Sequence, residues 1–479
     1  DTKSWALSTW DPFCDGKAEW FDPFWMFGHD KTEGGYFDLV IANPPYVQLQ
    51  SIKETADRLA AEQYSSFTRM GDLYCLFYER GFALLKRAGR LCYISSNKWM
   101  RTGYGEGLRN YFLDKAETEV LIDFGDAQLF ESATTYTNIL LGRPRREGAT
   151  PLEPLVLRDL SQVARADSDF AGLVALAPAK EADFSATSFL LLTPAEKALK
   201  RKIEEVGTPL KDWDISINYG IKTGCNEAFV VDRETRDRLV AEDPKSAELL
   251  KPLLRGRDIK RYKADFQDLW LIFTRQGTAI NAYPSIKKYL GQFKADIEPK
   301  KDKSQKRGRK PGPYKWFEIQ DAVAYWSEFE KEKLIYPNMT SQLPFYYDEE
   351  GYFTNDKSFI VTGAHLKYLT GILNAPIFKF IIKMELPALM GDTFELRKIF
   401  MDPLPVCKPD RARKGFIEEP SGKRREGTIA SLIEYCVDKI QAGKKRGEDT
   451  AAWEKSVDKL VYELYGLDEA EIAMVEGRA

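Results

Sequence analysis

Apolar residues in the first third of the chain come in short runs that alternate with stretches at helical spacing. Tyr36-Phe-Asp-Leu-Val-Ile-Ala42 is a brief apolar run with β-branched residues, the pattern of a buried strand. Asn43-Pro44-Pro45-Tyr46 ends it, because two prolines cannot continue a central strand. Residues 72–86 carry apolar side chains at helical spacing, and Arg87-Ala-Gly-Arg90 closes that stretch as a turn, with Gly89 as its stop. Residues 91–95 read as a strand, 106–112 as a helix, and 120–124 and 137–141 as two further strands. This alternation predicts an α/β domain with a largely parallel sheet. Residues 1–30 are rich in Trp and Phe without periodicity and predict irregular, partly buried structure.

A polar, proline-containing break at 144–154 sets the first domain boundary. A second region opens near Thr193 with mixed short strands and turns, including residues 217–231 and 268–274. From 429 to 476 the spacing is helical again. The partition expected is residues 1–143, a linker at 144–192, a second domain at 193–410 and a helical tail at 411–479. No internal repeat is visible.

At 479 residues the chain is too long for one ordinary core. With 43% hydrophobic and 30% charged residues it reads as a soluble globular protein, and no run approaches the ~18 apolar residues of a membrane span. No signal peptide is visible, and the first residue is Asp rather than Met, which reads as a fragment or a processed piece. Six scattered cysteines form no C-x-x-C pair, and there are only two histidines, His29 and His365. That excludes the usual zinc spacings and a disulfide framework, and suits free thiols in a reducing cytoplasm. The net charge of -3 gives no global sign of nucleic-acid binding, so any such signal has to be local.

One local signal is Asn43-Pro-Pro-Tyr46. Its chance occurrence in a chain this long is roughly one in a thousand. It also sits where a strand ends, and open α/β sheets bind ligands outside the carboxyl ends of their strands. An exocyclic amine is a weak nucleophile because its lone pair is delocalised into the ring. Two acceptors aimed at its N–H bonds, the Asn43 side chain and the Pro44 carbonyl, would localise that pair toward a methyl donor. Pro44 and Pro45 lock the backbone, and Tyr46 offers a face for a flat base. The plain alternative is a strand-terminal turn with a packed Tyr.

The second signal is the stretch 300–315, KKDKSQKRGRKPGPYK, with eight basic residues and one acid. Its charges are Lys300, Lys301, Lys303, Lys306, Arg307, Arg309, Lys310 and Lys315. Gly308, Pro311, Gly312 and Pro313 are expected to keep it extended and mobile, and Tyr314, Trp316 and Phe317 set stacking surface beside the charge. Lys222, Arg255 and Arg257 are weaker candidates of the same kind. The bland reading is a solvated surface loop.

Asn43-Pro-Pro-Tyr46 after FDLVIA resembles the catalytic motif of the methyltransferases that modify the amino group of adenine in DNA. The segments Asp72-Leu-Tyr74, Leu85-Lys-Arg-Ala-Gly-Arg-Leu91, Ile94-Ser-Ser-Asn-Lys-Trp99, Asp123-Phe-Gly-Asp-Ala-Gln-Leu-Phe130 and Thr137-Asn-Ile139 are similar to the same family. Pro252-Leu-Leu-Arg-Gly-Arg-Asp258, residues 369–378 (LTGILNAPIF) and Arg397-Lys-Ile-Phe-Met-Asp-Pro-Leu-Pro405 resemble the target-recognition domain of TaqI-like methyltransferases. The tail segment 459–467 resembles that of type IIG restriction–modification enzymes.

The resemblance implies an α/β fold: a partial Rossmann-like methyltransferase sheet, a mixed α/β target-recognition domain and a helical tail. It implies S-adenosylmethionine as cofactor, double-stranded DNA as partner, and a nuclease domain or subunit of the same system as a further one. Tyr46 and Phe130 match the pair that sandwiches the extruded adenine. Pro45 and Phe77 match the adenosyl pocket, with Asp72 at its border. One departure stands out. The family keeps a Gly-containing cofactor loop upstream of the motif strand, and the 42 residues before Asn43 show no strand followed by such a turn. The missing half of the sheet is therefore expected before residue 1. Two other readings stay open: a DNA-binding specificity module without activity of its own, and a protein glutamine methyltransferase, which shares the four-residue motif.

Overall fold

The computed structural model describes residues 35–125, 136–146, 148, 155–157, 179–302, 305–386, 393–409 and 413–478, with Trp5 and Ser8. The chain divides into two compact units, Asp1–Ala198 and Leu199–Ala479.

The first unit is built on a seven-stranded sheet. Its strands are β1 (Phe37–Ala42), β2 (Leu85–Ser96), β3 (Ala116–Asp123), β4 (Thr137–Pro144), β5 (Leu155–Leu157), β6 (Ala179–Phe184) and β7 (Phe189–Leu192), in the order β1-β2-β4-β3-β5-β6-β7. Helices α1 (Lys53–Ala61) and α2 (Leu73–Ala83) connect β1 to β2, and α3 (Glu106–Lys115) connects β2 to β3. β1 pairs parallel with β2, while β4 is antiparallel to both β2 and β3. β1, β2 and β3 thus run one way, as the alternation predicts, but β4 is inserted against them, so the sheet is mixed rather than largely parallel. A parallel neighbour needs a long crossover, which the helices supply; an antiparallel return does not.

Four local expectations change. The helix from 72 stops at Ala83, and β2 already begins at Leu85. The expected turn at 87–90 is an irregularity inside β2: Phe37 pairs with Leu85 and Leu39 with Arg90, so the extra residues loop out between two paired positions. β1 is not buried on both faces. Val40 and Ala42 pack on the core, whereas Leu39 is 53% and Ile41 69% exposed. Lastly, residues 144–192, expected as a linker, supply β5, β6 and β7 to this sheet. Phe189, Leu190, Leu191 and Leu192 are buried, and Phe189 packs edge-on against Trp99.

The core of this unit is aromatic: Tyr74, Tyr78 and Phe82 on α2 meet Tyr93, Trp99, Phe112 and Phe189. Gly81 lets α2 approach β2, since a Cβ there would lie 2.4 Å from the Tyr93 hydroxyl and 2.6 Å from Leu91 Cδ1. Gly81→Val is expected to cost about 1–3 kcal/mol through overpacking, read as a lower midpoint in denaturant unfolding. An unchanged midpoint would mean that α2 can slide away from the sheet freely.

The second unit holds two four-stranded sheets. One has the order β13 (Tyr346–Asp348), β12 (Lys333–Pro337), β15 (Ser358–Gly363), β8 (Ile215–Tyr219). The other has the order β9 (Val230–Val231), β11 (Trp270–Ile272), β10 (Leu250–Leu254), β14 (Phe353–Thr354). The expected tail begins as a hairpin, β16 (Lys414–Glu418) with β17 (Arg424–Thr428), followed by helices at Ile429–Arg446, Ala451–Tyr465 and Glu469–Val475. Thr428 caps the first of these through Ser431 N, and Gly447 at φ 75° stops it. The tail is not a separate layer. Ile433, Val437, Val457 and Leu460 share one core with Leu369, Ile372 and Phe378, because these amphipathic helices bury their apolar stripes against one another. Among the described residues no helix is long and apolar enough to cross a membrane.

Candidate functional site

In the first unit the carboxyl ends of β1, β2 and β3 and the amino end of β4 lie along one edge of the sheet. Ala42 pairs with Tyr93, which puts Asn43 level with Ile94. Asn43 is exposed, Pro44 buried, Pro45 exposed and Tyr46 half-buried. The Tyr46 hydroxyl donates to Asn43 Oδ1 at 2.9 Å and lies 3.4 Å from the Ile94 carbonyl oxygen. Burial pushes the Tyr46 phenol above its usual range, so it stays a donor. Its ring meets Tyr74 edge-on, with centroids 6.2 Å apart.

The backbone after the motif is tied to the start of α2. Leu73 N donates to the Val47 carbonyl at 2.9 Å and Leu49 N to that of Gly71 at 2.9 Å, and Gln48 bridges Asp72. Asp72 precedes α2 as its cap residue and is half-buried. Burial raises its carboxyl pKa, against a hydrogen bond from Tyr104 and the charge of Lys98. Phe77, five residues on, turns its ring outward and is 39% exposed. Phe130 lies outside the described residues, as does Lys303.

Side chains to which the sequence reading gave no role complete this edge. Asn97 Nδ2 donates to Asp123 Oδ1 at 2.7 Å, and Gly125 N reaches the same oxygen at 3.1 Å. The fully buried Asn138 accepts from Ser95 Oγ at 3.1 Å and from Trp99 Nε1 at 3.2 Å, and Ser95 is also bonded to Tyr78. Their signal was available. Polar Ser-Ser-Asn, Asp and Thr-Asn stand at the ends of otherwise apolar strands, where packing alone would favour hydrophobes.

In the second unit the basic stretch is docked rather than loose. Arg309 N donates to the Glu298 carbonyl and Lys300 N to that of Arg309, both at 3.0 Å. The Arg309 side chain is buried, at 4% exposure. It donates to the carbonyls of Ile297 at 2.6 Å, Thr223 at 2.7 Å, Trp316 at 3.1 Å and Lys315 at 3.3 Å. This corrects two expectations: the segment is pinned, and Arg309 faces the protein rather than a ligand. Tyr314 and Phe317 are also buried, leaving Trp316 half-exposed, so most of the expected stacking surface is core. Arg307 is exposed but paired through both nitrogens with Asp296, at 2.8 Å each. Lys301, Lys306, Lys310 and Lys315 are exposed, and Lys300 is half-exposed. Lys287, Lys288 and Lys294, which the sequence reading passed over, border a groove beside Trp316. Of the weaker candidates, Arg255 is held by Asp258 at 2.9 Å and Arg257 is exposed.

Residues 9–130 match the family model of the Eco57I restriction-modification methylase, and residues 251–406 match that of the TaqI-like C-terminal specificity domain. Together with the relatives below, these two matches make the chain similar to restriction–modification methyltransferases over most of its length. The first match takes in the motif strand and the second takes in the docked basic stretch. Among relatives, the type II methyltransferase M.BstVI of Geobacillus stearothermophilus is 21% identical, over 99% of this chain and 80% of its own length. M.XhoI of Xanthomonas vasicola is 23% identical, over 91% of this chain and 76% of its own. M.PaeR7I of Pseudomonas aeruginosa is 24% identical, over 92% and 73%. Among solved structures the fold is similar to MmeI, a type IIL restriction–modification enzyme determined in complex with DNA. That match has a TM-score of 0.57 and 12% identity, and covers 93% of this chain and 57% of MmeI. The chain therefore spans little more than half the length of that enzyme.

Proposed function

We propose that this protein methylates N6 of adenine at specific sites in duplex DNA, as the modification activity of a restriction–modification or related defence system in the cytoplasm. The observation that carries the reading is the exit of Asn43-Pro44-Pro45-Tyr46 from the carboxyl end of β1, with Asn43 exposed and the Tyr46 ring beside it. In a base pair the N6 amine is engaged, so the target adenine has to leave the stack. Tyr46 then offers one face to the extruded ring, and Phe130 is assigned the other. Asn43 Oδ1 and the Pro44 carbonyl accept the two N–H bonds and localise the nitrogen lone pair. In the free protein Tyr46 Oη occupies Asn43 Oδ1, so base entry exchanges one donor for another. No strong general base is needed, because the amine becomes acidic as it is alkylated.

For S-adenosylmethionine, the residues at hand suit the adenosyl end. Pro45 and the outward ring of Phe77 offer apolar faces, and the half-buried Asp72 offers an acceptor at the start of the same helix. When bound, the cofactor supplies an electrophilic methyl group. The task of this chain is to hold the amine in line with it and to keep the amine's hydrogens engaged.

Incubation of the protein with duplex DNA and labelled S-adenosylmethionine, followed by nucleoside analysis, tests the reading. N6-methyladenine is the expected product. Label on a protein glutamine would support the other methyltransferase chemistry. Sequence-specific DNA binding without any label would support a specificity module alone.

DNA contact is assigned to the exposed lysines of the docked stretch. Changing Lys300, Lys301, Lys306 and Lys310 together to Gln is expected to weaken duplex binding. It should also flatten the dependence of log K on log salt by about 0.9 per lost phosphate contact. Arg309 is left in place, since its loss would confound charge with folding. An unchanged slope would make this stretch a solvated surface only. The partners that follow are duplex DNA and a nuclease domain or subunit of the same system.

A further inference from the structure

Beside the docked stretch, the turn at 222–227 and the residues around Gln320 line an open cavity of about 600 Å³. Its frame is fixed. The buried Arg309 guanidinium ties the turn to the stretch through the Thr223 and Trp316 carbonyls. Gly224 adopts φ 80°, and a Cβ there would stand 2.7 Å from Gln320 Oε1, so glycine both forms the turn and leaves that carboxamide uncovered.

The groups facing the cavity are largely unused by the protein. Asn226 Oδ1 accepts from Thr223 Oγ1 at 2.8 Å. Among the described residues, the side chains of Lys222, Lys310, Gln320 and Asp356 take part in no hydrogen bond or ion pair. Gln320 therefore keeps both its carbonyl oxygen and its amide nitrogen for a ligand. A cleft rimmed by unengaged donors and acceptors has the groups to take a polar ligand.

The mixture of groups selects the ligand. A phosphate takes donors only and would be repelled by Asp356 and Glu227, which share the lining with the lysines. A base edge in the major groove presents donors and acceptors side by side. A carboxamide with both atoms free matches adenine, giving one bond to N7 and taking one from N6. We infer that Gln320 reads the major-groove edge of an adenine in the recognition sequence, with Lys222 and Lys310 reaching neighbouring acceptors. This adenine is distinct from the extruded one, because a base that has left the stack presents no major-groove edge. The inference rests on the assignment of that unit to DNA recognition.

Selection of bound sequences from a randomised duplex pool tests it, using the whole protein and its Gln320→Ala and Gln320→Glu variants. Gln320→Ala should lose the adenine preference at one position of the bound consensus, by about tenfold. Gln320→Glu should shift that position toward cytosine, whose N4 amine donates to a carboxylate. The salt dependence of non-specific binding should not move in Gln320→Ala, which changes no charge. Because Gln320 makes no side-chain hydrogen bond among the described residues, both variants should keep the wild-type thermal midpoint. A wild-type consensus untouched by either substitution, or affinity falling equally for all sequences, overturns the assignment to Gln320 alone. A wild-type protein that selects no sequence overturns both this assignment and the DNA-recognition reading beneath it.

Discussion

Replacing Asn43 with Ala is expected to lower methyl transfer by at least about a hundredfold while duplex binding stays near normal. The expectation follows from where Asn43 stands. It is the first residue beyond β1, exposed, and its Oδ1 already accepts a hydrogen bond from Tyr46 at 2.9 Å. An acceptor fixed by two following prolines needs no reorganisation when an amine replaces the phenol. Losing one such preorganised group typically removes about 3 kcal/mol of transition-state stabilisation, or roughly two to three decades in turnover. The role assigned to the side chain is toward the nucleophile and not toward phosphates, so binding and chemistry should separate. Single-turnover label transfer beside filter binding measures both. Turnover within a few-fold of wild type would remove Asn43 from the chemistry. Tyr46→Phe is the informative companion: it keeps the ring and deletes only the hydroxyl that occupies Asn43, so it should retain most of the turnover that Asn43→Ala loses.

The first unit was legible where side chains report directly on backbone geometry. Two prolines after FDLVIA mark a strand end in any context, and the structure puts that end at Ala42. The alternation of strand and helix gave the parallel trio β1, β2 and β3. It could not reveal that β4 inserts between β2 and β3, because neighbours in a sheet are chosen by long-range packing that leaves no local trace. Leu39 and Ile41 misled for a related reason. A run apolar on both faces reads as doubly buried, yet only the face with Val40 and Ala42 is covered in the described structure. The segment 144–192 read as a linker because its polar opening hides the buried FLLL of β7.

Charge was legible in amount and not in direction. Eight basic residues in 300–315 look alike in sequence, but those among the described residues divide into different kinds in space. Lys301, Lys306, Lys310 and Lys315 are exposed, Arg307 is matched by Asp296, and Arg309 is buried. No local pattern separates these, because the carbonyls that capture Arg309 come from residues 223, 297, 315 and 316. Gln320 escaped notice for the opposite reason: a single uncharged residue carries no compositional signal.

Arg309→Ala should therefore behave as a stability variant before it behaves as a binding variant. Burial pulls the guanidinium pKa below the usual arginine range, with the nearby Tyr314, Cys225 and Glu318 opposing that shift. The group tolerates its site because its N–H bonds end on carbonyls. Truncation strands those acceptors in a buried place and leaves a void under Phe229 and Tyr314, both of which lie within 5.2 Å of the guanidinium carbon. A buried polar group left unpaired costs about 1–3 kcal/mol, and more than one is stranded here, so a total of about 3 kcal/mol or more is expected. For a unit of this size, Leu199–Ala479, that is a fall in thermal midpoint of roughly 5 °C or more. Arg309→Lys keeps the charge but reaches fewer of the carbonyls, and should fall between wild type and Ala. If Arg309 instead contacted DNA, the pattern would invert: the midpoint would hold, the salt slope would drop by about 0.9, and Lys would substitute almost fully. Scanning calorimetry and a salt titration on the same two variants distinguish a strut that pins the basic stretch from a group that contacts DNA.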